Sequence, residues 1–302
     1  MRIAAIVVTF NRKELLAKAL GCIDRQTDPV DHLFIVNNAS SDQTPELLES
    51  LGYTQRDNAT VIHLPDNIGG AGGFSTGMRA AIRAGYDYLW LMDDDTMPTP
   101  EALLELKRTL GLAEDERRIG FVCSDVRWKD GSAHLMNLPE VSTYDIRGTP
   151  FNDKKGMISI SSCSFVSVLI SSAATIKVGL PYKEFFIWGD DQEFTRRMVS
   201  AGFLGYFSSM SQVLHDTVEN YRVDPCSEQA GADWKYVFGT RNSLFVARRD
   251  SGIIIYSFLL LKTILKTGKI ILKNKKNGKA VARSTLVGAL RSLRFSPKID
   301  HP

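Results

Sequence analysis

The feature that most constrains this chain is a rhythm in its first hundred residues. Residues 3–9, 33–36, 60–64 and 88–92 are short, almost continuously apolar runs, and the stretches between them carry helical spacing. Strands that are apolar on both faces, alternating with helices, predict a mainly parallel sheet covered on both sides. Each run also ends in a polar or glycine-rich segment: TFNR after the first, NNASSD after the second, NIGGAGGF after the third and DDD after the fourth. Ligands of open α/β sheets bind beyond the carboxyl ends of the strands, so four polar segments at four such ends can converge on one crevice. Asn11 followed by Glu14 predicts a capped helix start directly after the first strand. Further helices are expected around residues 45–51 and 75–84. Beyond residue 120 the pattern loosens into shorter strands at 119–123, 156–170 and 203–207, with a clear helix over 191–201.

Composition sharpens the partners. The net charge of +3 hides an asymmetry: residues 241–302 hold fourteen Lys or Arg and two acidic residues, +12, which leaves −9 on the preceding 240 residues. An acidic body with a basic tail points to a nucleic acid or an anionic membrane surface. No recognised nucleic-acid motif and no basic patch interleaved with aromatics is present, so no nucleic-acid partner is expected. Cys22, Cys123, Cys163 and Cys226 are far apart in the chain without a CxxC pair, which fits a reduced cytoplasmic compartment. The N-terminus reads as a strand rather than a signal peptide. Residues 1–125, 126–220 and 221–302 are expected as a ligand-binding half, a catalytic half and a helical basic extension.

The residue types at the strand ends suggest chemistry. Asp93, Asp94 and Asp95 crowd three carboxylates after an apolar strand, which is costly unless a cation compensates, and oxygen donors of this kind suit Mg²⁺ or Mn²⁺. Asp95 could instead cap a following helix. Gly69, Gly70, Gly72 and Gly73, before Phe74, let backbone approach a ligand closely ahead of a helix N-terminus, or simply form a turn. The segment lacks the Gly-Lys-Ser/Thr of a P-loop. Trp188-Gly189-Asp190-Asp191 opens a helix; its carboxylates serve as caps, or as a general base beside a sugar-stacking ring. His215 ends a short apolar strand, as a structural residue or a metal ligand.

Taken together, TFNR, VNNASSD, NIGGAGGF, LMDDD, WGDDQEF and His215 resemble, in order and spacing from Arg2 to about Arg249, the inverting family 2 glycosyltransferases of the GT-A fold. The galactofuranosyltransferase-like branch is the nearer match and the rhamnosyltransferases come next. The resemblance implies an α/β Rossmann-like sheet flanked by helices and a nucleotide-sugar donor. It assigns Thr9, Asn11, Arg12, Asn37, Asn38, Asn67, Asp93 and Asp94 to the nucleotide, and the glycines with Phe74 to the donor sugar. It further implies metal ligands Asp93, Asp95 and His215, a catalytic base Asp191, and an acceptor site at Trp188 and Asp190. One departure is Asn37, where many members carry Asp. A nucleotidyltransferase would also place acidic metal ligands under a parallel sheet, but it needs a basic glycine-rich loop after the first strand, where this chain has TFNRKE. A non-catalytic membrane scaffold has no reason to set six polar motifs at strand ends.

In the tail, residues 253–261 are apolar apart from Ser257, and nine residues are too few for a bilayer, which takes about 20. Lys262, Lys266, Lys269 and Lys273 then recur at steps of 4, 3 and 4 with Leu261, Ile264, Leu265 and Leu272 among them. This predicts a basic amphipathic helix, kinked at Gly268, lying on the inner face of an anionic membrane or packed on the body. A membrane-side position suits a lipid-linked glycan or polysaccharide acceptor.

Overall fold

The computed structural model describes residues 1–112, 118–142, 151–152 and 157–302. Strand β1, Ile3–Thr9, is buried over its whole length. Its side chains alternate between two cores: Ile3, Ala5 and Val7 face one, and Ala4, Ile6 and Val8 the other. This double burial is why the run is almost wholly apolar. Parallel strands β2, His32–Asn37, and β4, Tyr88–Asp93, flank β1, and β3, Ala59–His63, adds outside β2. Helices α1, Lys13–Asp24, α2, Thr44–Ser50, and α3, Gly69–Arg83, cross between them. Leu16, Leu20 and Ile23 of α1 close the first core; Phe74, Met78 and Ala81 of α3 close the second.

Beyond β4 the sheet continues with mixed pairing. Strand β10, Val168–Ser171, runs antiparallel between β4 and β6, Ile119–Arg127, while β11, Leu204–His215, lies parallel to β6. Strands β9, Met157–Ser162, and β7, Glu140–Val141, complete the far edge; β8, Phe151–Asn152, pairs β9. Short β5, Thr96–Pro98, leaves the main sheet to pair with the end of β11, setting His215 opposite Thr96. A histidine more than a hundred residues away thereby arrives beside the carboxylates of β4. Helices α4, Ala102–Gly111, α5, Ser172–Val178, and α6, Asp190–Ser200, cover this half. Helices α7, Lys235–Lys273, and α8, Gly278–Ser292, form the C-terminal layer.

Four local expectations are corrected. The glycine-rich segment is not a loop: helix α3 begins at Gly69 rather than near Ser75. A Cβ on Gly73 would fall 2.5 Å from Val8 Cγ1, and one on Gly77 2.5 Å from Ile6 Cγ2, so glycine lets the helix lie close on β1. Asn11 does not cap α1; it takes φ 54°, the helix starts after Arg12, whose own side chain makes no capping bond, and the Lys13 N–H donates instead to Asp42 Oδ2 at 3.0 Å. The strand expected over 156–170 is two strands divided by a turn in which Ser167 has φ 58°; Gly156 itself lies outside the described residues. The break in the tail helix falls at Gly252, with φ 79° and ψ 178°, while Gly268 stays helical. Glycine in mid-helix costs only about 1 kcal/mol against alanine and need not bend the helix.

Candidate active site

The carboxyl end of β4 turns its three aspartates to different tasks. Asp94 accepts from Thr9 Oγ1 at 2.8 Å, and its burial, partly offset by Arg12, pushes its carboxyl up to about 6. Asp95 holds Arg12 Nη1 at 2.6 Å. Burial would raise Asp95, but His215 and Arg12 together outweigh it and keep the group ionised below the usual carboxylate range. Asp93 lies well above that range, because of burial first and then the charges of Asp95 and Asp94.

His215 is fixed by a residue with no signal in the sequence. Asn137 donates Nδ2 to Ser164 Oγ at 3.0 Å and so presents Oδ1 to His215 Nδ1 at 2.8 Å. Nδ1 then carries a proton, and Nε2 faces Asp95 Oδ1 at 3.2 Å. That Oδ1 is buried and has no hydrogen bond of acceptable geometry. The ring of His134 packs 4.5 Å from His215, and burial followed by the charge of His215 pushes it down to about 4.

The facing wall begins at a strained turn. After the 3₁₀ turn Lys183–Phe185, Phe186 and Trp188 have φ 65° and 66°, and Gly189, at φ 89°, leads into α6. Non-glycine residues in this region cost of order 1–3 kcal/mol each, so other contacts must hold them. Asn242 of α7 does so: its Nδ2 lies 3.0, 3.2 and 2.9 Å from the carbonyls of Phe185, Ile187 and Trp188. Arg241 donates to the carbonyls of Glu184 and Phe185. Asp190 and Asp191 thus stand in the first turn of α6, where the helix dipole favours negative charge. Burial raises both: Asp190 well above the usual range, with the charge of Asp191 adding to it, and Asp191 to about 6. Asp191 keeps an edge open to the cleft. The Trp188 ring meets Tyr236 edge-on at 5.1 Å and rests on Gly239, where a Cβ would come within 2.7 Å of it. Behind this wall buried Glu193 pairs with Arg197 and with Arg249 of α7.

Arg12, Gly70, Phe74, Asp93, Asp95, Trp188, Asp190, Asp191 and His215 line one cleft of about 850 Å³. The other expected residues are not among those lining this cleft. The side chains of Asn11, Asn37, Asn38 and Asn67 are used on loop backbone: they accept from the N–H groups of Ser41, Ser40, Ile68 and Gly69, and Asn38 Nδ2 also donates to the Gly69 carbonyl. These bonds hold the loops in shape, and Asn37 Nδ2 lies 3.1 Å from His63 Nδ1. Gly69, Gly72 and Gly73 serve close packing against Phe186, Ile68 and Val8. Tyr221, Arg222, Lys235 and Tyr236 also line the cleft, unforeseen because they follow an irregular stretch without periodicity.

As the side chains stand, no group of three or more His, Cys, Asp or Glu among the described residues comes close enough to hold a metal ion. The guanidinium of Arg12 occupies Asp95 instead. The donor chemistry nevertheless fits a divalent cation. Asp95 Oδ1, buried without a hydrogen bond of acceptable geometry, lies 3.2 Å from His215 Nε2, beside an Asp93 carboxyl raised by burial and then by its neighbours' charge. Oxygen and imidazole donors of this kind suit Mn²⁺ or Mg²⁺.

A sheet with its cleft across the carboxyl ends of β1 and β4 and the start of α3, closed by a second mixed half, defines a GT-A-type α/β protein. The chain belongs to glycosyl transferase family 2, whose family model matches residues 4–179. It is 31% identical over 214 residues to the galactofuranosyltransferase GlfT1 of Mycolicibacterium smegmatis, a match that covers 66% of this chain and 66%, just under two thirds, of that relative. Among solved structures, the mannosyltransferase PcManGT from Pyrobaculum calidifontis in complex with GDP-Man and Mn²⁺ aligns with a TM-score of 0.57 at 15% identity, over 97% of this chain and 87% of that one. GalNAc-T7 with UDP, GalNAc and Mn²⁺ aligns with a TM-score of 0.61 at 12% identity, over 82% of this chain and 48% of that one.

Proposed function

We propose that the chain is an inverting, divalent-metal-dependent glycosyltransferase that moves a hexosyl group, galactofuranose from UDP-galactofuranose as first choice, to a hydroxyl of a lipid-linked glycan or polysaccharide. The observation that carries this reading is that Asp191 lines the same cleft as Asp93, Asp95 and His215 although they are remote in the chain. Family membership and the named galactofuranosyl relative support the choice of donor.

Asp93, Asp95 and His215 are the residues that would hold Mn²⁺ or Mg²⁺, which supplies Lewis-acid neutralisation of the departing nucleoside diphosphate. The rest of the work falls to the chain. Thr9, Asp94 and the loops built by Asn37 and Asn38 form the floor for the nucleoside, and Arg12 brings positive charge to the diphosphate. Trp188 offers an aromatic face to the acceptor sugar. Asp191 takes the proton of the acceptor hydroxyl as that oxygen attacks the anomeric carbon opposite the leaving group; one displacement inverts the configuration. A carboxyl raised to about 6 is a stronger base than an ordinary aspartate and is still mostly ionised at neutral pH.

The test is thermal stabilisation and transfer with UDP-galactofuranose, dTDP-rhamnose and GDP-mannose, each with and without Mn²⁺. Stabilisation by UDP-galactofuranose only with the metal is expected, and Asp191→Asn should keep that stabilisation while losing transfer. Indifference to every sugar nucleotide would sink the reading; near-normal turnover by Asp191→Asn would remove the base.

A further inference from the structure

The second half of α7 has three faces. Tyr256, Thr267 and Ile270 are buried against the rest of the chain, with the Tyr256 hydroxyl 3.1 Å from Ser292 Oγ of α8. At 3.6 residues per turn the opposite face carries Ile254, Phe258, Leu261, Leu265 and Leu272. These side chains are 80%, 63%, 57%, 70% and 78% exposed. Lys262, Lys266, Lys269 and Lys273 form the adjoining face, all exposed and none in an ion pair among the described residues. A continuous exposed apolar stripe of this length is unusual for a free surface and marks an interaction site.

We propose that this face docks on the surface of an anionic lipid bilayer, and so sets the mouth of the catalytic cleft at the headgroups. Three observations favour lipid over another occupant. The lysine row beside the stripe complements anionic headgroups, and the charge of the chain is divided so that its basic part lies at this end. In an antiparallel two-fold pairing of this face with a second copy, lysine rows would meet lysine rows, which is repulsive. No helix among the described residues is long and apolar enough to cross a membrane, so the helix lies on the surface. The link to the site is physical: Thr263, Lys266 and Ile270, from the same half of α7, line the cleft. The docking stands on the exposed face alone; its consequence, that a lipid-borne acceptor reaches Trp188 and Asp191 without leaving the membrane, rests on the function proposed above.

Sedimentation with vesicles of phosphatidylcholine alone, or mixed equally with phosphatidylglycerol, tests this on the full chain without sugar nucleotide. The chain is expected to pellet with the mixed vesicles only, and high salt should release much of it. The triple variant Lys262→Ala, Lys269→Ala, Lys273→Ala should weaken binding about 100-fold. Phe258→Ser with Leu265→Ser should weaken it as well. Both variants avoid the cleft and should keep the circular dichroism and the donor-induced thermal shift of the parent. Equal binding to both vesicle types, no binding to either, unchanged binding by the variants, or a stable dimer that the stripe variants dissolve overturns the proposal. Vesicle binding needs no donor and the thermal shift needs no vesicle, so failure of the docking and failure of the catalytic reading are separately visible.

Discussion

At the scale of single residues, the cleft works by setting neighbouring carboxylates to different proton affinities. Asp95 is kept ionised by Arg12 and His215, whereas Asp191 is raised by burial to about 6. A base must be deprotonated to act, so the transfer rate should be level above that value and fall about tenfold per unit below it. Initial rates at saturating donor across pH 5 to 8 check the slope, and a flat profile through pH 6 would disconnect Asp191 from the rate. Asn137 makes a second test. It fixes the His215 ring so that Nε2, not Nδ1, faces Asp95. Loss of such a supporting group commonly weakens metal binding about 10- to 100-fold, so Asn137→Ala should shift the Mn²⁺ midpoint of thermal stabilisation by that factor. An unchanged midpoint would mean that the ring is held by other contacts.

At the scale of elements, the start of α6 is the critical joint. Two left-handed residues, Phe186 and Trp188, precede Gly189, and the backbone they distort is held from α7 by the Asn242 amide together with the Arg241 guanidinium. Asn242→Ala leaves the carbonyls of Ile187 and Trp188 without this donor, while that of Phe185 keeps Arg241 and the Ile187 N–H, and should cost about 1–3 kcal/mol in denaturant unfolding. It should also lower kcat more than the KM for donor, because Asp191 moves while the β4 end of the cleft does not. Equal loss in both parameters would argue for general destabilisation. Helix α3 shows the converse case, in which the element forms against its own composition: a first turn made mostly of glycine is a poor helix by propensity, and its backbone is stabilised by lying on Val8 and Ile6, closer than a Cβ would permit.

At the scale of the molecule, a parallel half with strand order β3-β2-β1-β4 is joined through antiparallel β10 to a half whose longest strand, β11, returns His215 to the first. The parallel half and the amphipathic α7 were legible from the chain itself, because burial on two faces forces unbroken apolar strands; the acidic triplet, Asp191 and His215 stood out only as candidates, and their roles came with the family resemblance. The use of Asn11 and Asn38 on loop backbone, the break at Gly252, and the roles of Asn137 and Asn242 were not legible: each depends on a partner 30 or more residues away, or on which of several permitted glycines takes a positive φ, and neither leaves a local periodicity. Local sequence determined which segments form strands and helices and which side chains could do chemistry. Only the tertiary structure decided which of those side chains meet in the cleft, since that is set by the pairing of β5 with β11 and the packing of α7 on the 185–188 turn, contacts between segments far apart in the chain.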